Sequence, residues 1–159
     1  MIRKNYAKYF VRINSNEIDK SDICGTKNQI TILINLINDL NKNCSWYLFD
    51  IRTYPEGWLE ISKNTGPIYF CNSSDLISKL EDRYQFIFGI FICIESNKKI
   101  EKWTRLFDSE ENLIPDLEYG FLEIRPFDGS YYEIYSNDFE VIKIYAKQFN
   151  VEIEILVVD

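Results

Sequence analysis

The chain has 159 residues, with 46% hydrophobic, 27% charged and 16% aromatic side chains, which fits one globular domain of ordinary size. A chain of this length buries about 70% of the surface that its unfolded form exposes. The net charge of −7 is unevenly placed: residues 1–100 carry a net +2 and residues 101–159 a net −9. An excess of carboxylates argues against binding to nucleic acid, where affinity comes from Lys and Arg on phosphates. It suits a basic protein partner, whose encounter an acidic field speeds.

With no histidine, the commonest general base and metal ligand is missing, and neither a Ser-His nor a Cys-His nucleophile pair can be built. The four cysteines, Cys24, Cys44, Cys71 and Cys93, contain no CxxC pair, so the usual zinc sets are not formed. Cys71 and Cys93 end or interrupt apolar runs and read as small core residues. Cys24, just before Thr26, could be a thiol activated at a helix start, but an ordinary cysteine fits better. The start Met1-Ile2-Arg3-Lys4 leads into no signal core. The longest apolar run, Phe86 to Ile94, is too short to span a bilayer. A cytoplasmic protein without cofactor or metal is the expectation.

In chain order, residues 6–13 read as a first strand. Thr26 opens a helix with Gln29 as its capping partner, and Ile30, Leu33, Ile34, Ile37 and Leu40 recur at helical spacing. Residues 45–52 read as a strand, Tyr54-Pro55-Glu56-Gly57 as a turn, and Trp58 to Ser62 as the returning strand of a hairpin. A short strand follows at Ile68 to Cys71, then a helix capped by Ser73 or Ser74 that carries Leu76, Ile77 and Leu80. Tyr84 to Ile94 is nearly all apolar, as in a central strand buried on both faces; Gly89 inside it signals a bulge or a close backbone approach. Residues 98–117 fit either a helical turn with Ile100, Trp103 and Phe107 or an irregular loop.

Residues 118–126 and 130–136 form a hairpin about Asp128-Gly129. Asn137 then caps a last helix, with Glu140 as partner and Phe139, Ile142, Tyr145, Ala146 and Phe149 on its apolar face. Val151 to Val157 closes the chain as a strand. About seven strands and three helices, without regular βαβ alternation, predict a single α+β domain with a mixed, mostly antiparallel sheet.

No Gly-rich phosphate loop is present, and Asp108-Ser109-Glu110-Glu111-Asn112-Leu113 lacks the calcium-loop pattern with its central Gly. A catalytic carboxylate pair has too many candidates to name one among 25 acids. The segment Glu118 to Glu140 stands out, because it interleaves acids with phenols: Glu118, Tyr119, Glu123, Asp128, Tyr131, Tyr132, Glu133, Tyr135, Asp138 and Glu140. In a strand Tyr131, Glu133 and Tyr135 share one face and Tyr132 and Ile134 the other. One face would be core and the other would meet solvent or a partner, where tyrosine gives large contact area at low entropy cost. A solvated outer sheet face covered by tyrosine is the plainer alternative.

Two segments together resemble a known family. Gln85-Phe86-Ile87-Phe88-Gly89-Ile90-Phe91, followed by Phe121-Leu122-Glu123-Ile124-Arg125-Pro126-Phe127-Asp128-Gly129-Ser130-Tyr131-Tyr132-Glu133-Ile134-Tyr135, is similar to small immunity proteins of bacterial polymorphic-toxin and contact-dependent inhibition systems. The resemblance spans residues 84–149; Pro126 and Gly129 stand at variable positions, and Tyr132 replaces a phenylalanine. It implies a non-enzymatic inhibitor that binds a cognate toxin, with an acidic face against a basic groove if the toxin is a nuclease. The ten acids and tyrosines named above would then be the partner-binding residues. A different kind of binding module would instead use an aromatic-lined pocket, with Trp46, Trp58 and Trp103 as liners.

Overall fold

The computed structural model describes residues 4–57, 66–95, 99–105, 107–108 and 113–158. Its elements in chain order are β1 (Tyr9–Asn14), α1 (Ser15–Ile18), α2 (Lys27–Asn35), β2 (Cys44–Tyr54), β3 (Ile68–Phe70), α3 (Ser73–Lys79), β4 (Gln85–Glu95), β5 (Gly120–Phe127), β6 (Tyr131–Ser136), α4 (Phe139–Phe149) and β7 (Glu154–Ile155). The strands form one seven-stranded sheet in the order β3-β2-β4-β5-β6-β1-β7, and every neighbouring pair is antiparallel. This is an α+β domain. The expected return strand at Trp58–Ser62 lies outside the described residues.

Alternation along the strands decides which side chains meet the helices. Val11 and Ile13, Leu122 and Ile124, Tyr132 and Ile134 point to one face, where they pack with Leu33, Ile34, Val141, Ile142 and Tyr145 in the main core. Tyr145 donates to the Leu33 carbonyl at 2.8 Å, which ties α4 to α2 through a buried phenol. Tyr132 accepts from the Gly25 N–H at 2.9 Å and donates to Gln29 Oε1 at 2.8 Å, so its hydroxyl is satisfied in the core.

Helix ends follow their caps, one at the expected residue and two a residue before or after it. Thr26 does accept from the Gln29 N–H, but the Gln29 side chain returns to Gly25 rather than to Thr26. Asn72, not Ser73 or Ser74, caps α3, and Asp138, not Asn137, caps α4. The regular turns of α2 stop at Asn35, and Ile37 and Leu40 are carried by a short 3₁₀ turn instead. The last strand is only two residues long, where seven were expected.

Two local features shape the second sheet face. Asp50 has φ 46° and lies at a register shift of β2. Phe49 before it belongs to the second face and Ile51 after it to the main core, so this bulge resets the alternation and puts Arg52 beside Phe88. At Gly89 a Cβ would lie 2.7 Å from Ile51 Cδ1, so the glycine serves a close approach between β2 and β4.

Candidate functional site

The second face is a sheet surface covered by loops. A row of side chains runs across all seven strands by direct pairing: Tyr69, Tyr47, Ile92, Glu123, Tyr135, Phe10 and Glu154. At one end of that row, Trp103 and Phe107 lie over Tyr47 and Phe49, with Phe49 and Phe107 stacked at 3.5 Å and 7°. At the other, Ala7, Leu117 and Tyr135 make a small cluster with Phe10, Ile114 and Leu156.

Between these apolar patches lies an alternating chain of charge. Arg105 Nη2 is 2.6 Å from one oxygen of Glu123, and Arg125 Nε is 2.5 Å from the other. Arg125 pairs across the strands with Glu133, and Arg12 Nη2 is 3.5 Å from Glu133 Oε2. Burial alone would push the Glu123 carboxyl up, but the two guanidiniums outweigh it and hold the group below its ordinary value. Glu123 is therefore an ionised acceptor, the opposite of a general acid.

Two further acids fasten the covering loop. Glu118 accepts from the Thr104 N–H at 2.9 Å and the Thr104 hydroxyl at 2.9 Å, and from the Arg105 N–H. Asp116 accepts from the Asn5 N–H at 2.9 Å and the Glu118 N–H at 3.0 Å, with Lys4 at 3.6 Å. Arg105 also donates to the Asp116 carbonyl. Clefts of about 360 Å³, beside Lys4, Arg105, Asp116 and Arg125, and of about 250 Å³, beside Arg12, Glu133 and Tyr135, flank the segment Leu113–Ile114.

The structure therefore redistributes the expected acidic, tyrosine-rich face. Glu118, Glu123, Tyr132, Glu133 and Tyr135 are buried, with Glu123 and Tyr132 at 0% exposure. Tyr132 lies in the main core, and the three glutamates have internal partners. Of the others, Asp128 and Tyr131 stand at the turn end of the β5–β6 hairpin, while Tyr119, Asp138 and Glu140 stand at the opposite end. The length of β6 separates the groups by about 17 Å, from five rises of about 3.4 Å. The ten residues do not form one surface.

At the turn end the sheet presents a different row. Arg52, Phe88, Phe127 and Tyr131 are successive cross-strand partners on β2, β4, β5 and β6. Phe127 and Tyr131 stack at 5.3 Å and 8°, and Phe88 meets Phe127 edge to face at 5.4 Å. The Arg12 guanidinium lies 4.2 Å from the Tyr131 ring centroid, and Arg52 lies 6.0 Å from that of Phe88. All three rings are half-buried, so each keeps an accessible edge. The turn itself holds Asp128 (φ 44°) and Gly129 (φ 67°) in left-handed conformation, closed by the Ser130 N–H to the Phe127 carbonyl at 3.0 Å. Sequence reading found Tyr131 but missed Phe88, Phe127, Arg12 and Arg52. Strand alternation puts Phe127 on the face of Arg125 and Tyr131, but the bulge at Asp50 that brings Arg52 there is not legible from it.

Trp46 and Trp103 do not line a common pocket. Trp46 is sealed in the main core with its indole N–H on Ser73 Oγ at 2.9 Å, Trp103 is clasped by rings, and Trp58 lies outside the described residues. Cys24 is buried, which pushes its thiol up to about 11, in keeping with an ordinary cysteine rather than an activated thiol. Cys93 is buried as expected, whereas Cys71 is exposed, because β3 ends at Phe70 before it. Among the described residues no three His, Cys, Asp or Glu side chains are grouped to hold a metal ion, and no helix is long and apolar enough to cross a membrane. Comparison with known proteins gives no match to this chain, whether to a family model, a curated protein or a solved structure.

Proposed function

We propose that this chain is a non-enzymatic immunity protein that binds a bacterial toxin domain and neutralises it, docking through the turn end of its β5–β6 hairpin. The observation that carries the docking surface is the row Arg52–Phe88–Phe127–Tyr131 with Arg12 over its last ring. Aromatic and arginine side chains dominate binding hot spots, and rings already stacked on paired strands lose little entropy on contact. The family likeness of residues 84–149 supplies the class of partner. The earlier expectation of an acidic phosphate mimic is not retained, because Glu118, Glu123 and Glu133 are committed to partners within the domain.

Co-expression with the protein encoded immediately upstream tests this reading. Growth rescue with a copurifying one-to-one complex is expected. A Phe127→Ala/Tyr131→Ala variant should bind at least about 30-fold more weakly, the equivalent of about 2 kcal/mol. A harmless neighbour that forms no complex would sink the immunity reading. Rescue with a complex of undiminished affinity in the double variant would sink only the docking surface.

A further inference from the structure

Of the four cysteines, Cys24 and Cys71 stand apart, while Cys44 and Cys93 meet. Cys44 is the first residue of β2 and pairs with Glu95; Trp46, two residues on, pairs with Cys93. Cys44 and Cys93 are thus diagonal neighbours on adjacent antiparallel strands, on the face that packs against the helices. Cys93 is sealed in the core, while Cys44 beside it is half-buried. Cys44 itself is half-buried and lines a cleft of about 230 Å³ with Lys42, Asn43, Asn72 and Ser73, so a small reagent reaches it where Cys93 is sealed.

We infer that Cys44 and Cys93 form a peroxide-sensitive dithiol, in which Cys44 is the attacking thiol and Cys93 the resolving one. The Cys44 thiolate attacks one oxygen of hydrogen peroxide and the O–O bond breaks. This leaves a sulfenic acid on Cys44 and releases hydroxide, which leaves as water with the proton first lost by Cys44. The Cys93 sulfur then attacks the Cys44 sulfur. The S–S bond forms, the S–O bond breaks, and the hydroxyl leaves as water with the Cys93 proton. Two thiols and one peroxide give one disulfide and two waters.

The electrostatics favour this division of roles. The neighbouring Cys93 thiol holds the Cys44 thiol below its ordinary value, against burial and Glu95 and with help from Lys42. Burial raises Cys93 well above its own. Diagonal partners have Cα atoms about 7–8 Å apart, and a disulfide needs them within about 7 Å. Closure therefore asks for a shift of about 1 Å, which Cys44 can make at a strand end where its pairing with Glu95 is what yields.

The test is thiol counting on the reduced, desalted full chain before and after a small molar excess of hydrogen peroxide, with the cross-link mapped by peptide mass. Titratable thiols in the unfolded protein should fall from four to two, with a Cys44–Cys93 linkage. A Cys71→Ser variant should form the same bond. A Cys93→Ala variant should instead leave a Cys44 sulfenic acid that a dione reagent traps; if that variant does not fold, the wild-type linkage map decides alone. Four surviving thiols, a bond to Cys71, or Cys44 carrying added oxygen without a cross-link in the wild type would each overturn the proposal.

Discussion

The two faces of the sheet are built on opposite principles. Towards the helices, burial is dry and governed by shape: Leu33, Ile34, Leu122, Ile134 and Val141 are at or near zero exposure, and the phenols of Tyr132 and Tyr145 each find a defined partner. Away from the helices, the sheet is covered by loops whose apolar groups, Trp103, Phe107 and Leu117 among them, sit in patches at its two ends. Between them, Arg105, Glu123, Arg125, Glu133 and Arg12 alternate in sign, while Glu118 and Asp116 hold the covering segment by its backbone. An irregular segment exposes N–H groups that no ladder satisfies, and carboxylates are suited to accept them. Four acids of the last third, Asp116, Glu118, Glu123 and Glu133, are therefore internal fastenings rather than surface charge. A negative net charge in sequence does not by itself describe a negative surface.

The sharpest way to break this contrast is to remove Glu123. Glu123→Ala leaves Arg105 and Arg125 facing each other without their shared carboxylate, and should cost about 3–5 kcal/mol in chemical denaturation. The same carboxylate sets an acid limb. Its folded value is depressed, so its contribution is complete above its ordinary value of 4.5 and is lost as pH falls through the lower folded value. A Glu123→Gln variant, compared with wild type across that range, should have a shallower acid loss of stability. An identical slope would mean that the charge chain does not hold the second face.

On the helix face, Leu33→Ala should cost about 3 kcal/mol by cavity formation. That loss should stay the same with pH, because the site holds no charge. Tyr132→Phe should cost less, about 1–2 kcal/mol. It removes one of the two acceptors of the Gly25 N–H, leaving Gln29 Oε1, and takes a donor from Gln29 without changing volume. The smallest effect on stability, below about 1 kcal/mol, is expected for Tyr131→Ala at the turn end, where the ring is half-buried and stacked only on Phe127 and Arg12. A loss as large as that at Leu33 would make this row structural, and would remove it as a docking surface.

Much of the architecture was legible in the sequence. The Asp128-Gly129 turn fell where two left-handed residues were needed, and the apolar run of β4 became a central strand. The apolar positions of α2 faced the core, as did Ile142, Tyr145 and Ala146 of α4, whereas Phe139 is exposed and Val141, not expected on that face, is buried. These features are local: they depend on turn chemistry and on periods of two or 3.6 residues. Caps were misplaced by a residue at Asn72 and Asp138, because neighbouring polar residues offer nearly equal capping and packing chooses between them. The candidate site was less legible. Alternation correctly separated Tyr131, Glu133 and Tyr135 from Tyr132 and Ile134, but could not say which face would be covered.

The sequence by itself determined an α+β domain and the elements that build its sheet, because hydrophobic periodicity and turn residues act within short stretches of chain. Only the tertiary structure decided the fate of the acids and the rings. Arg105 lies 18 residues from Glu123, and Arg12 lies 121 from Glu133. The row of Arg52, Phe88, Phe127 and Tyr131 depends on four strands and on one bulge at Asp50. A side chain's charge is written in the sequence, but whether that charge meets solvent or a buried guanidinium depends on strand order and on what covers the sheet.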